Sequence, residues 1–212
     1  MIIGDITQYF NMVIEIFTQG GIITYIILFV GIYGILLAIR KIMYLRKISK
    51  VDATEIFGIV TASMERGGAV EALKQLNSFK NPVSRIISET FNIGYKNKME
   101  VEESIEQIFI VEVSKMTKNM NALKTITEIA PFLGLIGTVI GIWMTFKSLG
   151  VGADAAVMAQ GIYIALITTI MGLLVAIILL PTYTYIQGLI EAEMDKIELA
   201  TKMTNWGLVM AK

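Results

Sequence analysis

The sequence predicts an all-α membrane protein with three transmembrane helices, and three observations support this fold class. Of the 212 residues, 55% are hydrophobic and only 17% are charged, whereas soluble domains carry about 25% charged residues. The apolar residues form three long runs that are almost free of charge, and roughly 20 apolar residues in a helix cross a bilayer. The polar segment between the first two runs shows no alternation typical of strands, so it is also predicted to be helical.

The first apolar run, residues 20–39, is predicted to be transmembrane helix 1. It contains no charged residue and is followed directly by Arg40 and Lys41. A cleaved signal peptide is disfavoured because no basic residue precedes the run and the run is too long for the apolar core of such a peptide. Residues 1–19 carry apolar side chains at approximately helical spacing, which predicts an amphipathic helix on the outer surface; a longer, tilted first span is the alternative.

Two further spans are predicted in the second half of the chain. Residues 129–149 and 158–186 are the predicted transmembrane helices 2 and 3, and residues 150–157 form the outer loop between them. Pro181 falls in the last turns of the third span, where a kink is tolerated. Residues 187–212 are predicted to continue as a C-terminal helix with an apolar stripe.

The distribution of basic residues predicts the orientation in the membrane. Fourteen of the eighteen Lys and Arg residues lie between Arg40 and Lys124, whereas the region around the predicted outer loop offers only Lys147 and Asp154. The positive-inside rule therefore places residues 40–128 in the cytoplasm. The chain is expected in the cell (inner) membrane, with its N-terminus outside and its C-terminus in the cytoplasm.

The predicted cytoplasmic segment begins with short helices. Asp52 is a candidate N-cap for a helix that stops at the Gly67-Gly68 pair. Another helix is predicted to begin at Pro82 and to end near Gly94.

A long amphipathic helix ends this segment. Between Val101 and Ile126 the apolar residues recur every three or four positions, and Glu112 is the single charged member of this stripe. No helix-breaking residue occurs before Pro131, so the helix is predicted to continue into the second span without interruption.

The residue types exclude most enzymatic chemistry. The chain contains no Cys and no His, which removes thiolate nucleophiles, Cys/His zinc sites and the commonest general base. No phosphate-binding loop and no paired carboxylates in a plausible pocket are found. We therefore expect no catalytic residue, no metal and no cofactor, and the net charge of zero predicts no nucleic-acid partner.

The polar residues of the second and third spans are threonines. Thr138 and Thr145 are seven residues apart and share one helix face, and Thr168 and Thr169 lie in the third span. Each hydroxyl either bonds the carbonyl one turn back in its own helix or lines a polar path through the protein.

The spans themselves contain no ionisable residue far from their ends. Glu128 and Lys147 lie at the ends of the second span, where their side chains can reach the membrane surface. Since a proton path through a membrane requires an ionisable relay, a partner protein is expected to supply the buried charge. Gly134, Gly137 and Gly141 lie near one side of the second span, and such spacing allows helices to pack closely in lipid.

Two span motifs resemble the MotA/TolQ/ExbB family, in particular its ExbB and TolQ branch. They are APFLGLIGTVIGIWMTF at residues 130–146 and GIYIALITTIMGLLVAI at residues 161–177. Weaker similarity covers the start, FTQGGIITYIILFVGIYGILLAIRK, and the cytoplasmic GGAVEAL and NPVSRII, so the resemblance extends over nearly the whole chain in order.

The resemblance implies an assembly and a role for particular residues. Family members form a homopentamer around a dimer of a single-span partner of the ExbD/TolR/MotB type, which carries an aspartate in the membrane. By similarity, Thr138 and Thr169 match the pore-lining threonines, and we add Thr168 and Thr145 as ion-pathway candidates. The matched helix-packing positions are Pro131, Gly134, Gly137, Gly141, Gly161 and Gly172.

One position departs from the ExbB/TolQ pattern. That branch usually has a glutamate in the third span, in a pattern like GIAEAL, where this chain has Ile164, and Thr168 stands where the branch often has alanine. A proton relay through a carboxylate of this subunit is therefore not expected, and a pair of hydroxyls could replace water around a sodium ion.

The expected function is that of an ion-conducting stator subunit that couples proton-motive force to mechanical work or transport across the envelope. A sodium-coupled stator of the same family and a non-conducting membrane scaffold are the alternatives. A secondary transporter of small solutes is disfavoured because the chain has few spans, no internal repeat and no pair of broken helices.

Overall fold

A computed structural model describes residues 21–49, 53–79, 81–93, 98–150 and 154–210. The predicted outer-surface helix at residues 1–19 lies outside these ranges. The described residues form six α-helices and no strand. The helices are α1 (Gly21–Ile48), α2 (Ala53–Ser78), α3 (Pro82–Ile93), α4 (Lys98–Thr117), α5 (Met120–Leu149) and α6 (Ala155–Met210).

Three helical segments are long and apolar enough to cross a membrane. They are α1, the Glu102–Leu149 segment that contains α5, and the Ala155–Lys202 part of α6. The chain is thus an all-helical protein with three candidate membrane-spanning helices.

The described residues divide into two compact units. The first unit falls within Met1–Ile39 and Asn119–Thr184, and the second within Arg40–Lys118 and Tyr185–Lys212. Both α1 and α6 contribute residues to each unit.

The first unit buries several of its glycines and exposes many large apolar side chains. Gly34, Gly134 and Gly141 are buried, whereas Phe29, Phe132 and Trp143 are each more than half exposed. Large apolar side chains are stable on the outside only where lipid or another protein covers them.

The second unit buries large aliphatic side chains in the manner of a water-soluble helical bundle. Fully buried members are Leu45, Ile56, Leu76, Ile86, Met116 and Ile197. Its α3 begins with Pro82 at the first helical position, and the side-chain Oδ1 of the preceding Asn81 accepts the N–H of Ser84 at 2.8 Å, which caps the helix.

The predicted uninterrupted helix leading into the second span is wrong. The chain turns at Lys118 and Asn119, between α4 and α5, and Asn119 adopts the left-handed conformation with φ 66°. Asparagine tolerates this conformation better than most residues. The Nζ of Lys41 donates to the carbonyl of Lys118 at 2.8 Å, so the end of α4 has a partner that sequence periodicity does not reveal.

The start of α6 differs from its expected position, whereas the break in α2 lies at the Gly67-Gly68 pair, where a helix end was predicted. α6 begins at Ala155, three residues before the predicted start of the third span at 158. In α2 the helix is kinked at Gly68, which has φ 70° and ψ −165°, a conformation that a glycine adopts at low cost.

Candidate functional site at the α5–α6 contact

The backbones of α5 and α6 approach each other closely along a line of glycines. A Cβ placed on Gly141 would lie 2.6 Å from the carbonyl oxygen of Gly161, and one placed on Gly172 would lie 2.5 Å from that of Ala130. Gly134 is similar, with the Thr168 carbonyl oxygen at 2.8 Å. No side chain larger than hydrogen fits at these positions without movement of the backbone, so the two helices pack through main-chain surfaces.

Thr138 and Thr169 bring their hydroxyl groups together across this contact. The two Oγ1 atoms are directly hydrogen-bonded to each other. The hydroxyl that does not donate in this bond can donate to a carbonyl oxygen across the contact, either that of Ala165, 3.1 Å from Thr138 Oγ1, or that of Gly134, 3.3 Å from Thr169 Oγ1. Two hydroxyl and two carbonyl oxygens from two helices are therefore clustered in an apolar surrounding.

Thr168 and Thr145 lie in different environments from this pair. Thr168 is fully buried and bonds the Ala165 carbonyl of its own helix at 2.9 Å. It occupies the space that Gly137 leaves open. Thr145 is buried, bonds the Gly141 carbonyl at 3.0 Å and fits against Gly161.

The structure thus joins two of the four candidate ion-pathway threonines to each other and ties the other two mainly to carbonyls of their own helices. A hydroxyl that donates to the backbone carbonyl one turn back in its own helix needs no hydrogen-bond partner in another helix.

Ile164 lies half-buried in α6, at the position where the ExbB/TolQ branch usually has glutamate. It lines a groove of about 400 Å³ together with Met144, Val157 and Gln160. Pro131, the remaining packing candidate, lies half-buried inside α5.

Charge is confined to the ends of the second and third spans. Between residues 129 and 186 the only charged residues are Lys147 and Asp154. The Lys147 ammonium lies over the ring of Trp143, 5.2 Å from its centroid. Among the described residues, no group of acidic residues could hold a metal ion.

Two glycines through which α1 packs within the first unit, Gly31 and Gly34, were not identified from the sequence. A Cβ on Gly31 would lie 2.8 Å from a methyl group of Val175, and one on Gly34 would lie 2.5 Å from a methyl group of Leu179. Their spacing of three residues is the same signal that was recognised in the second span, and it would have located this contact.

An all-helical chain with three membrane-crossing segments, closely packed through glycines, is a multi-pass membrane protein. Comparison with protein families then identifies its relatives: residues 78–199 match the MotA/TolQ/ExbB proton channel family. The chain belongs to this family, and its similarity is to the ExbB branch.

Curated relatives support this assignment. A biopolymer transport protein ExbB homologue of Methanothermobacter thermautotrophicus is 57% identical over 212 residues, covering 100% of this chain and 76% of the relative. An ExbB-like protein of Synechocystis is 26% identical over 84% of this chain and 72% of its own length. The ExbB protein of Helicobacter pylori strain J99 is 44% identical over 32% of this chain and 48% of its own length.

Proposed function

We propose that this chain is an ion-conducting, energy-transducing subunit of the ExbB/TolQ type. With a single-span partner of the ExbD/TolR type it couples proton-motive force to mechanical work or transport across the envelope. The observation that carries the proposal is the oxygen cluster of Thr138 and Thr169, a polar site between the membrane-crossing parts of α5 and α6.

The absence of ionisable residues inside the spans supports a role for the partner. Lys147 and Asp154 are the only charged residues from 129 to 186, and neither lies in the middle of a span. An ion path normally requires an ionisable group in the membrane. In the proposed complex the partner's membrane aspartate supplies this group, and the threonine hydroxyls face it.

The proposed assembly is a homopentamer around two copies of the partner. Large apolar side chains, including Phe132, Trp143 and Phe146, lie exposed on the first unit. Neighbouring copies and lipid would cover these surfaces. The proposed topology has residues 1–19 on the outer surface, 40–128 and 187–212 in the cytoplasm, and 150–157 as the outer loop of an inner-membrane protein.

Sodium coupling is the second candidate, and Ile164 favours it. Without a carboxylate at this position the third span offers only neutral oxygen atoms, and hard cations bind oxygen ligands. A non-conducting scaffold is the remaining alternative, because Ile164 leaves the third span without a carboxylate that could transfer protons.

The test is ion flux into liposomes that contain the chain co-expressed with its ExbD-like partner. Thr138→Val and Thr169→Val each keep the size of the side chain and remove the hydroxyl. We expect each to lower flux by about tenfold or more, since a hydrogen bond to a charged group is worth about 1.5–3 kcal/mol. The matched control is Thr182→Val. Thr182 lies in α6, as Thr169 does, but its hydroxyl donates to the Ile178 carbonyl of its own helix.

The outcomes distinguish the three hypotheses, namely proton coupling, sodium coupling and a non-conducting scaffold. Proton flux that falls in both variants and not in the control supports the proposal, and sodium flux with the same pattern supports the second candidate. Unaltered flux in both variants would show that the threonine pair is not on the ion path, whereas no flux of either ion in the unsubstituted complex would favour the scaffold.

A further inference from the structure

A cavity of about 570 Å³ lies within the second unit, and the proposed function makes no use of it. Its lining comes from α1, α2, α3 and α4 and from the residues that precede α3. Its volume falls in the range of small-molecule sites, roughly 300–1,000 Å³. Part of the lining is apolar and consists of Ile48, Leu76, Phe79 and Pro82. A ligand in this cavity would therefore gain contact with apolar surface.

Asn81 is a lining residue with an unused hydrogen-bond donor. The residue is 4% exposed, and within the described part of the chain its Nδ2 has no hydrogen-bond partner. The orientation of the amide is fixed because Oδ1 accepts the N–H of Ser84 at 2.8 Å, and the flipped amide would place two donors against each other. A buried donor without a partner destabilises a fold, and native structures contain few of them. Asn81 therefore offers a donor that a ligand can satisfy.

Two serines and a second asparagine of the lining already have partners in the chain. Ser84 Oγ donates to the carbonyl of Phe79 at 2.9 Å, and Ser88 Oγ donates to Asn77 Oδ1 at 3.2 Å. These groups need no ligand to complete their hydrogen bonds. The requirement of the site is thus for an acceptor at Asn81 rather than for a further donor.

The charges around the cavity balance, which favours an uncharged ligand. The carboxylate of Glu112 is paired with Arg85 at 3.2 Å and with Lys115 at 2.6 Å. Glu89 is the second carboxylate of the lining. Two cations and two carboxylates leave no net charge for an ion to neutralise, and burial of a further charge without an opposite partner is unfavourable.

We propose that this cavity binds a small uncharged molecule that carries a carbonyl group, such as a ketone, an ester or a tertiary amide. The carbonyl oxygen accepts a hydrogen bond from Asn81 Nδ2 and brings no N–H or O–H that would need a partner of its own. The hydrocarbon part packs against Ile48 and Leu76. Since Nδ2 is covered in the free chain, a neighbouring side chain moves aside when the ligand binds. This site is separate from the threonine pair and does not depend on ion conduction.

The first experiment follows the Asn81 side chain while two ligands are added. The full chain in detergent is labelled with ¹⁵N-asparagine, and the Asn81 amide signal is identified by its absence from the Asn81→Ser protein. Cyclohexanone and methylenecyclohexane have the same shape, and only the first has an acceptor oxygen. We expect cyclohexanone to move the Asn81 amide proton signal downfield until the site is saturated, and methylenecyclohexane not to do so. No saturable shift with cyclohexanone, as for a donor that meets only water, or an equal shift with both ligands would overturn the proposal.

The second experiment removes the donor. Asn81→Asp keeps the side-chain oxygen that caps α3 and replaces the NH₂ group by an acceptor oxygen. Binding of cyclohexanone, measured by calorimetry with titrations into empty micelles subtracted, should weaken by about threefold to tenfold. Unchanged binding to a folded Asn81→Asp protein contradicts the proposal. If this variant does not fold, the ligand comparison decides.

Asn77→Asp is the matched control for the lost donor. Asn77 also lines the cavity, so this substitution adds the same negative charge to the lining and leaves the Asn81 donor in place. We expect its affinity for cyclohexanone to stay close to that of the unsubstituted protein. Equal weakening in both variants would show that the added charge, and not the lost donor, is responsible, and the proposal would fail.

A third comparison tests the preference for an uncharged ligand. Cyclohexanecarboxylate and cyclohexylammonium are similar to cyclohexanone in size and carry one charge of either sign. We expect the ketone to bind more tightly than either ion, because the charges of the lining balance. Tighter binding of the carboxylate or of the ammonium would refute a neutral site.

Discussion

At the scale of single residues, the same side chain acts differently according to what lies across the helix contact. Thr138 and Thr169 face each other, and their hydroxyls bond across two helices. Thr168 and Thr145 lie opposite Gly137 and Gly161, where the missing side chain leaves room for them. A threonine opposite a glycine fills space, whereas a threonine opposite another threonine creates a polar site.

The glycine contacts lead to a prediction about stability. Gly141→Ala should destabilise the folded protein by about 1–3 kcal/mol, because its Cβ would lie 2.6 Å from the Gly161 carbonyl oxygen and the helices would have to separate. Thermal unfolding in detergent measures the effect.

Gly188→Ala is the matched control for that prediction. Gly188 is in α6, and a Cβ there would meet nothing within 4 Å. Alanine is the better helix former by about 0.8–1 kcal/mol, so this variant should be as stable as the unsubstituted protein or more stable. Equal destabilisation by both substitutions would show that the α5–α6 contact is not as close as described.

At the scale of helices, the turn between α4 and α5 depends on one backbone conformation. Asn119 has φ 66°, which residues with a branched Cβ adopt only with strain. Asn119→Val should therefore cost about 1–2 kcal/mol of stability, while Asn119→Gly should be tolerated. Chemical unfolding in detergent provides the comparison, and a Val variant as stable as the Gly variant would argue for a continuous helix at this position.

Lys41 gives an independent prediction about the same turn. Its ammonium donates to the Lys118 carbonyl, at the end of α4. Lys41→Met keeps most of the side-chain length and removes the donor, so a loss of about 1 kcal/mol is expected. Lys47→Met, at an exposed position of the same helix, should change stability by less than half of that amount. Equal losses would indicate that the bond to Lys118 is not formed.

At the scale of the whole molecule, the exposed apolar surface of the first unit has to be covered. Side chains such as Phe29, Phe132 and Trp143 lie open on a single chain, and isolated chains in water would associate through them. Lipid covers part of this surface, and the proposed assembly covers another part.

The mass of the solubilised complex tests this assembly. After co-expression with an ExbD-like single-span protein encoded beside it, we expect a homopentamer that retains two copies of the partner. Native mass spectrometry would resolve both numbers. A monomer or dimer that does not bind the partner would refute the stator proposal and favour the scaffold or a transporter.

Glu112 illustrates which features of a residue can be predicted from the sequence and which cannot. A lone carboxylate in an apolar stripe indicates a residue with an unusual environment, and the stripe alone places it on the buried face of the helix. Its partner Arg85 is 27 positions away. No periodicity relates the two residues, because the packing of α3 on α4 determines which side chains meet.

The sequence by itself determined the all-helical class, the three candidate membrane spans and the family. These properties depend on residue type and order, since apolar length sets whether a helix can cross a bilayer. Only the tertiary structure decided that Thr138 pairs with Thr169, that the chain turns at Asn119 and that Lys41 meets the end of α4. These features depend on how each helix is rotated and shifted against its neighbours, and the free energy of close packing, rather than local sequence, fixes that rotation.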